Sequence, residues 1–463
     1  MQYWEPLTED ELVQVHQSAC QILAELGMII RNARAIEVLV EAGAEQVDEF
    51  IVRIPQALVE RSIEQTPSSF TVCDRRGGEY LIGEDNHFHL PGGTMTEILD
   101  YPSNTRRSAT LQDVQQLTQI VDALDAVQFG SVMVEGMDAP AGMGEIMSCA
   151  EVLKNTTKFV LVCPAEARAN KAVVEMAKAL AGTDDLSSRP FIALLATIIP
   201  GYEMDFEAAE TFMLAADEGL PLVVMGGGIQ GAQSPATMAG TMLMKTASEL
   251  GALCIAQSVR PGTPIIMDWG QVKLDMRTAE IEEAGPEFSL AIAAGAQLSR
   301  RYGIPSYACP GADSKIGDLQ AGLEFGETFM AAILAGINIT VNAGTVSKCS
   351  AASYELLVLH NEILRNMQRV RQGMRIDEET LAVSLQIEVG LRGDYLSRPE
   401  TLHAIRGTDE FLHKDLFDAT GIRMDYQDPM EKAQQRWQQI LKEREVAISD
   451  EDKKAIDRVV EGT

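Results

Sequence analysis

Residues 337–366, INITVNAGTVSKCSAASYELLVLHNEILRN, change periodicity at a glycine. Ile337, Ile339, Thr340 and Val341 form a β-branched run suited to a buried strand, Gly344 permits a turn, and Tyr354, Leu357, Val358 and Ile363 recur at helical spacing. The unit reads as strand, loop, helix, and it repeats upstream from about residue 86. Strands are predicted at His87–Pro91, Val127–Glu135, Lys158–Pro164, Phe191–Ile198, Leu220–Met225, Pro264–Trp269, Ile304–Pro310 and Ile337–Val341. Helices are predicted at 111–124, 142–154, 167–180, 206–218, 235–253, 287–302, 319–334 and 352–369. Strands without alternation, each followed by a helix, argue a parallel sheet covered on both faces. An open doubly wound sheet is the rival architecture. Eight successive units over roughly 280 residues fit a closed (β/α)8 TIM barrel of the α/β class better.

Outside this rhythm, residues 8–26, 33–43 and 54–66 carry helical patterns, the first with Thr8 as N-cap and Gly27 as stop, and short strands follow. Residues 1–85 are expected to form a cap on the barrel of residues 86–370, with 371–463 as a C-terminal helical extension. The chain has 463 residues, 46% of them hydrophobic, which is enough for a large core. Its 38 Lys and Arg face 68 Asp and Glu, a formal charge of -30. Such a surface repels phosphate backbones and anionic membranes, so neither nucleic acid nor membrane is expected as a partner, whereas a cationic substrate or basic protein suits it. Seven cysteines stand singly, without a C-x-x-C pair, which indicates no disulfide framework and no thiolate zinc site. The acidic first residues lack an apolar signal region and no uncharged apolar run spans a bilayer, so a cytoplasmic protein is expected.

In a barrel the chemistry gathers at the C-terminal ends of the strands. The loops there include EGMDAP, IIPGYE, GGGIQGAQSP, DWGQ, PGADSK and NAGTVSK, with Glu135, Tyr202, Asp268, Trp269 and Asp313 among their side chains. Trp269 also suits strand-end packing, and the polar groups also suit helix caps. Gly226 to Gly231 matches G-x-G-x-x-G, which raises a nucleotide-dependent oxidoreductase as an alternative. The acidic residue due about 20 positions later at the end of the next strand is missing, since Asp268 lies too far on and Glu249 lies within a helix. Asp85-Asn86-His87-Phe88-His89-Leu90 approaches the D-x-H-x-x-G pattern that presents an axial histidine to cobalamin, with leucine where glycine is required. His87 and His89 share one strand face, either as a metal pair completed by Glu135 or Asp268 or as two hydrogen-bonded histidines of the barrel interior. No metal is expected. The H-E-x-x-H, P-loop and G-x-S-x-G patterns are absent, which excludes the zincin, P-loop and serine-hydrolase readings.

The stretches HLPGGTMTEILDYPSNTRRSATLQDV (89–114), GGGIQGAQSPATMAGTMLM (226–244), LLVLHNEILR (356–365) and GDYLSRPETLHAIRG (393–407) resemble the trimethylamine methyltransferase family of corrinoid-dependent methyltransferases over most of the chain. The resemblance implies a barrel whose mouth receives a methylated amine and is covered by a separate corrinoid protein carrying the cobalamin. No cofactor held tightly by the chain itself is expected, and a homo-oligomer is. Members with pyrrolysine carry it in the loop after the last strand, where NAGTVSKCSAASYE has ordinary residues. This places the chain with the branch resembling glycine betaine methyltransferase, which demethylates quaternary amines. A barrel that binds such an amine without reacting is the second alternative. The rings of Trp269, Tyr202, Tyr307, Phe88 and Tyr354 are candidates to hold the cation. His87, His89, Gln230, Lys348 and His360 are candidates to meet a carboxylate, His360 being the catalytic candidate. Trp269 and His360 are expected to reach one cavity at the strand C-termini.

Overall fold

The structure is a computed structural model that describes residues 3–407, 412, 415–417, 426–443 and 448–463. Eight parallel strands lie in one sheet: β1 Phe88–Pro91, β2 Gly130–Ser131, β3 Val160–Val162, β4 Ile192–Thr197, β5 Leu222–Met225, β6 Ile265–Asp268, β7 Ser306–Ala308 and β8 Ile339–Ala343. Consecutive strands from β2 to β8 pair with one another, and β8 returns to β1 through Ile339 opposite Phe88 and Thr340 opposite His89. Between β1 and β2 the ring closes by single hydrogen bonds, from the Phe129 amide to the His89 carbonyl (3.2 Å) and from the Met95 amide to the Met133 carbonyl (3.1 Å). The (β/α)8 expectation holds. The second strand is much shorter than predicted, because its flanks bond irregularly to the loop after β1.

The helices are α1 Leu111–Ala123, α2 Gly144–Asn155, α3 Ala167–Ala181, α4 Phe206–Glu218, α5 Met238–Val259, α6 Pro286–Tyr302, α7 Leu319–Ala335 and α8 Tyr354–Gln372. Their ends follow the local chemistry. Thr110 and Asp113 form a capping box that opens α1, and α4 runs from the Asp205 cap to Gly219, whose φ of 65° stops it. Helix α5 starts later than its periodicity suggests, after Thr237 caps it, and continues to Val259.

Strand alternation sorts the core into two shells. Leu161, Leu195, Val223, Ile266, Tyr307 and Val341 fill the barrel interior, while Val160, Val162, Leu194, Val224 and Met267 pack outward against the helices. A hairpin of strands Ser69–Cys73 and Glu79–Gly83 closes the floor, placing the Tyr80 ring 5.8 Å from Phe88 and 5.3 Å from Phe129. Helices Glu9–Glu25 and Gln56–Gln65 lie on α5, helix Pro429–Glu443 runs along α8, and helix Asp450–Gly462 covers α2 and α3. No helix among the described residues is long and apolar enough to cross a membrane.

Outward packing is close where α6 meets the end of β6. The Trp269 ring lies on Gly295, where a Cβ would stand 2.4 Å from the indole carbons. Gly295→Ala is expected to lower the unfolding free energy by about 1–3 kcal/mol despite alanine's higher helix propensity, because the indole has nowhere to retreat. Urea unfolding of the variant measures it.

Candidate functional site

At the C-terminal ends of the strands a cavity of about 450 Å³ opens into the barrel. Its lower wall is the upper layer of the interior, with Leu161, Leu195, Met225 and Val341. Two rings join them, Tyr307 from β7 and Phe288 from the first turn of α6. The polar contribution comes from the carboxylates of Asp268 and Glu283, the amides of Gln233 and Asn342, the hydroxyls of Thr94, Ser131 and Thr197, and the thiols Cys163, Cys309 and Cys349.

Asp268 ends β6 and is held by a buried lysine. Lys245, on α5, places its ammonium 2.5 Å from Asp268 Oδ2, 3.0 Å from Glu249 Oε1 and 2.6 Å from the Gly226 carbonyl. One cation thus pins α5, the end of β5 and the end of β6 together. Burial pushes the Glu249 carboxyl upward, and the ammonium of Lys245 beside it works against that shift. The glycine run packs on these residues: a Cβ at Gly226 would stand 3.2 Å from Glu249 Cγ, and one at Gly228 would stand 3.2 Å from both Gln233 and Pro200. Close approach to this cluster accounts for these two glycines without a dinucleotide.

Glu283 precedes α6, and its backbone amide donates to Asp313 Oδ1 at 2.9 Å. Burial first, and then repulsion from Asp313, raises its carboxyl to about 7. The thiols are inert: burial lifts Cys349 to about 12 and pushes Cys163 and Cys309 upward as well. Among the described residues no three His, Cys, Asp or Glu side chains form a metal-holding group.

The loop after β8 is unusual. Ser347, Lys348 and Cys349 lie in succession in the left-handed region, with φ of 57°, 57° and 56°. Such a run costs on the order of 1–2 kcal/mol per residue. It is held by hydrogen bonds from the Ser347 amide to the Ser314 carbonyl (2.8 Å) and from the Lys348 amide to the Ala312 carbonyl (2.9 Å). The turn brings Cys349 to the cavity, where its thiol donates to Asn342 Oδ1 at 2.9 Å.

Of the residues singled out in the sequence as rings for the cation or partners for a carboxylate, only Tyr307 lines this cavity, together with Asp268 from the active-face loops and Gly226 and Gly228 of the glycine motif. Trp269 and His360 do not reach it. Trp269 follows the inward Asp268 and therefore points outward, 2% exposed, with Nε1 donating to Ser299 Oγ at 2.6 Å. His360 accepts the Gly344 amide at 2.9 Å and stacks on Phe325 of α7, ring centroids 3.5 Å apart, and burial lowers it to about 3. His87 and His89 occupy the same outer layer instead of the barrel interior. Their rings lie 4.5 Å apart, His87 bonds the Ile337 carbonyl and His89 bonds Thr340 Oγ1 at 2.7 Å. Phe88 points inward, but at the floor, stacked 4.7 Å from Phe129. Tyr202 lies beyond β4, where its carbonyl accepts from the Ile29 amide. Gln230 braces the glycine loop through the Ala236 carbonyl and Gln271. Lys348 pairs with Glu280 at 3.1 Å, and Tyr354 bonds Asp113 in an outer groove against Trp437.

Glu283, Phe288, Asn342, Cys309 and Cys349 went unnoticed as cavity residues. For β6 a usable signal existed, since counting in twos from Ile266 places Asp268 inside and Trp269 outside. For Glu283 and Cys349 none did, because loop paths place them. Removing the central cation tests the electrostatics: Lys245→Met leaves Asp268 buried without its partner and should cost about 3–5 kcal/mol in chemical unfolding.

The comparisons with known proteins agree with this architecture. Monomethylamine methyltransferase of Methanosarcina barkeri shares the fold, with a TM-score of 0.52 and 12% identity over 80% of this chain and 77% of that one. Glycine betaine methyltransferase of Desulfitobacterium hafniense strain Y51 is 30% identical over 443 residues, 94% of this chain and 92% of the relative. Trimethylamine methyltransferase of Desulfitobacterium hafniense strain DCB-2 is 29% identical over 86% of this chain and 81% of its own length. The family description "Trimethylamine methyltransferase (MTTB)" matches residues 1–459. The chain therefore belongs to the trimethylamine methyltransferase family and is a methyltransferase built on a (β/α)8 barrel.

Proposed function

We propose that the chain takes one methyl group from a quaternary ammonium compound, with glycine betaine the first candidate, and passes it to the cob(I)alamin of a partner corrinoid protein seated over the barrel mouth. The observation that carries this reading is the cavity of about 450 Å³, where the rings of Tyr307 and Phe288 and the carboxylate of Glu283 line otherwise mostly apolar walls. Aromatic faces attract a trimethylammonium group, and a half-buried carboxylate adds charge without a tight hydrogen bond, which such a cation could not return. The amides of Asn342 and Gln233 are the donors for the carboxylate end of a betaine. The relative named glycine betaine methyltransferase, aligned over 94% of this chain, supports this substrate.

The cavity has room for a betaine but not for a corrin ring, and His87 and His89 face the helix layer, where neither can serve as an axial ligand at the mouth. Both features support a corrinoid carried by the partner, where it would supply a strongly nucleophilic cobalt. The methyl–nitrogen bond breaks with its electron pair left on nitrogen, and a neutral tertiary amine departs. No general acid is needed. This suits a cavity whose tyrosine and thiols are held protonated by burial and behind whose wall the buried Lys245 is fully engaged. The work of the protein is to hold one methyl toward the mouth and to exclude water.

Two measurements test the reading. Methyl transfer to cob(I)alamin, assayed with betaines and trimethylamine in parallel, should favour a betaine. Tyr307→Ala should weaken betaine binding about ten- to thirtyfold, the loss of one desolvated cation–π contact, while Tyr307→Phe keeps the ring and most of the affinity. Wild-type binding in Tyr307→Ala, or trimethylamine turning over faster than every betaine, would overturn it.

The Glu283 carboxyl, raised to about 7, predicts a pH dependence. A cation binds best to the ionised form, so affinity should rise with pH through this region, by about tenfold between pH 6 and 8 if binding needs the ionised form. Calorimetric titration at both values should show the rise in the wild type and a flat profile in Glu283→Gln.

A further inference from the structure

A cavity that takes a betaine has to meet the anionic end of its ligand as well as the cation, and this one does so without a positive charge. Among the described residues no lysine or arginine lines it. Lys245 stands behind the wall, bound to Asp268, and Lys348 turns away to Glu280. A carboxylate must then be met by neutral donors, and each of these needs a hydrogen not already given to the chain. Ser131 spends its hydroxyl on the Gly92 carbonyl at 2.6 Å. The side-chain amides of Asn342 and Gln233 keep theirs.

A primary amide is ambiguous in recognition, because half a turn about its last bond exchanges donors for an acceptor. Both amides of this cavity have that freedom removed by their hydrogen bonds. Asn342, in β8 and 4% exposed, accepts the Cys349 thiol on Oδ1 at 2.9 Å. No group among the described residues accepts from its Nδ2, and Gly311 leaves that nitrogen uncovered, since even a Cβ there would stand 3.6 Å away. Gln233 accepts the Ile229 backbone amide on Oε1 at 3.3 Å, and again no described group accepts from its Nε2. In each side chain the oxygen is occupied and the NH2 is left for the cavity.

The backbone of Asn342, with φ of 87°, favours asparagine over bulkier residues but does not choose between the two orientations of its amide. The thiol makes that choice. Burial pushes Cys349 up to about 12, so it keeps its hydrogen and acts as a donor. The sulfur reaches Asn342 only because the left-handed run from Ser347 to Cys349 carries it there. Strained backbone of this kind persists at sites where a side chain has to be aimed.

We infer that, given the quaternary-amine substrate proposed above, Cys349 is a positioning residue: it holds Asn342 Oδ1, turns the Asn342 NH2 toward the ligand, and so selects quaternary amines that carry a carboxylate over those that do not. Calorimetric binding of glycine betaine and of tetramethylammonium to the full chain tests this, since the second has a like cationic head and no carboxylate. The wild type should prefer betaine. Cys349→Ala, which frees the amide to turn, should weaken betaine about tenfold and leave tetramethylammonium within about twofold. Cys349→Ser keeps a donor and should restore most of the betaine affinity. Asn342→Asp keeps the size and the tolerance of positive φ but offers only oxygen; it should weaken betaine about thirtyfold or more and bind tetramethylammonium at least as well as the wild type. Tetramethylammonium binding thus reports an intact cavity in every variant. Equal losses for both probes in Cys349→Ala, wild-type betaine affinity in that variant, or a serine variant no better than alanine would overturn the positioning role. A wild type that binds tetramethylammonium as tightly as betaine overturns the selectivity and leaves the quaternary-amine reading standing. A wild type that binds neither overturns that reading and this inference with it.

Discussion

A closed ring of eight short strands gives each strand side chain one of two destinations, the barrel interior or the layer between strands and helices. This constraint governs the rest of the molecule. Along β6 it sends Ile266 and Asp268 inward and Met267 and Trp269 outward, so the indole fills a notch at Gly295 while the neighbouring carboxylate faces the cavity. Along β1 it turns both histidines outward, His89 against Phe329 of α7, and leaves Phe88 and Leu90 in the interior.

The second organising element is the buried Lys245. A lysine away from water is costly unless its charge is met, and here two carboxylates and a backbone carbonyl meet it. The arrangement locks α5 to the ends of two strands and draws the glycine run down onto the helix, since side chains at Gly226 and Gly228 would crowd Glu249, Gln233 and Pro200. The cavity wall is rigid on this side. On the opposite side it is shaped by the left-handed run at 347–349, strained backbone held by the loop after β7, which seats Cys349 against Asn342.

Between these walls lies a cavity with almost no group that can give up or take a proton near neutrality. That economy suits a reaction in which the leaving group departs as a neutral amine. Glu283 is the exception, a carboxyl poised near 7 because burial and Asp313 both oppose its charge.

The order of strands and helices, the eightfold count and nearly every helix end were legible in the sequence. They depend on local periodicity and caps, which lie within a few residues of one another; Asp205, Thr110 and Gly219 illustrate this. The family was legible as well, because its motifs are contiguous. The site was not. Tyr307 was found among the candidates, but Trp269, His360, His87 and His89 are as polar or aromatic as any true cavity residue, and only the phase of each strand and the stacking of α7 and α8 send them elsewhere. Phe288, Glu283 and Cys349 reach the cavity through loops whose path is set by contacts between residues tens to hundreds of positions apart, such as Glu283 with Asp313 and Ser347 with Ser314. Sequence alone determined the barrel, because barrel-forming signals are local; tertiary structure decided which side chains share the cavity, because that depends on where distant loops converge.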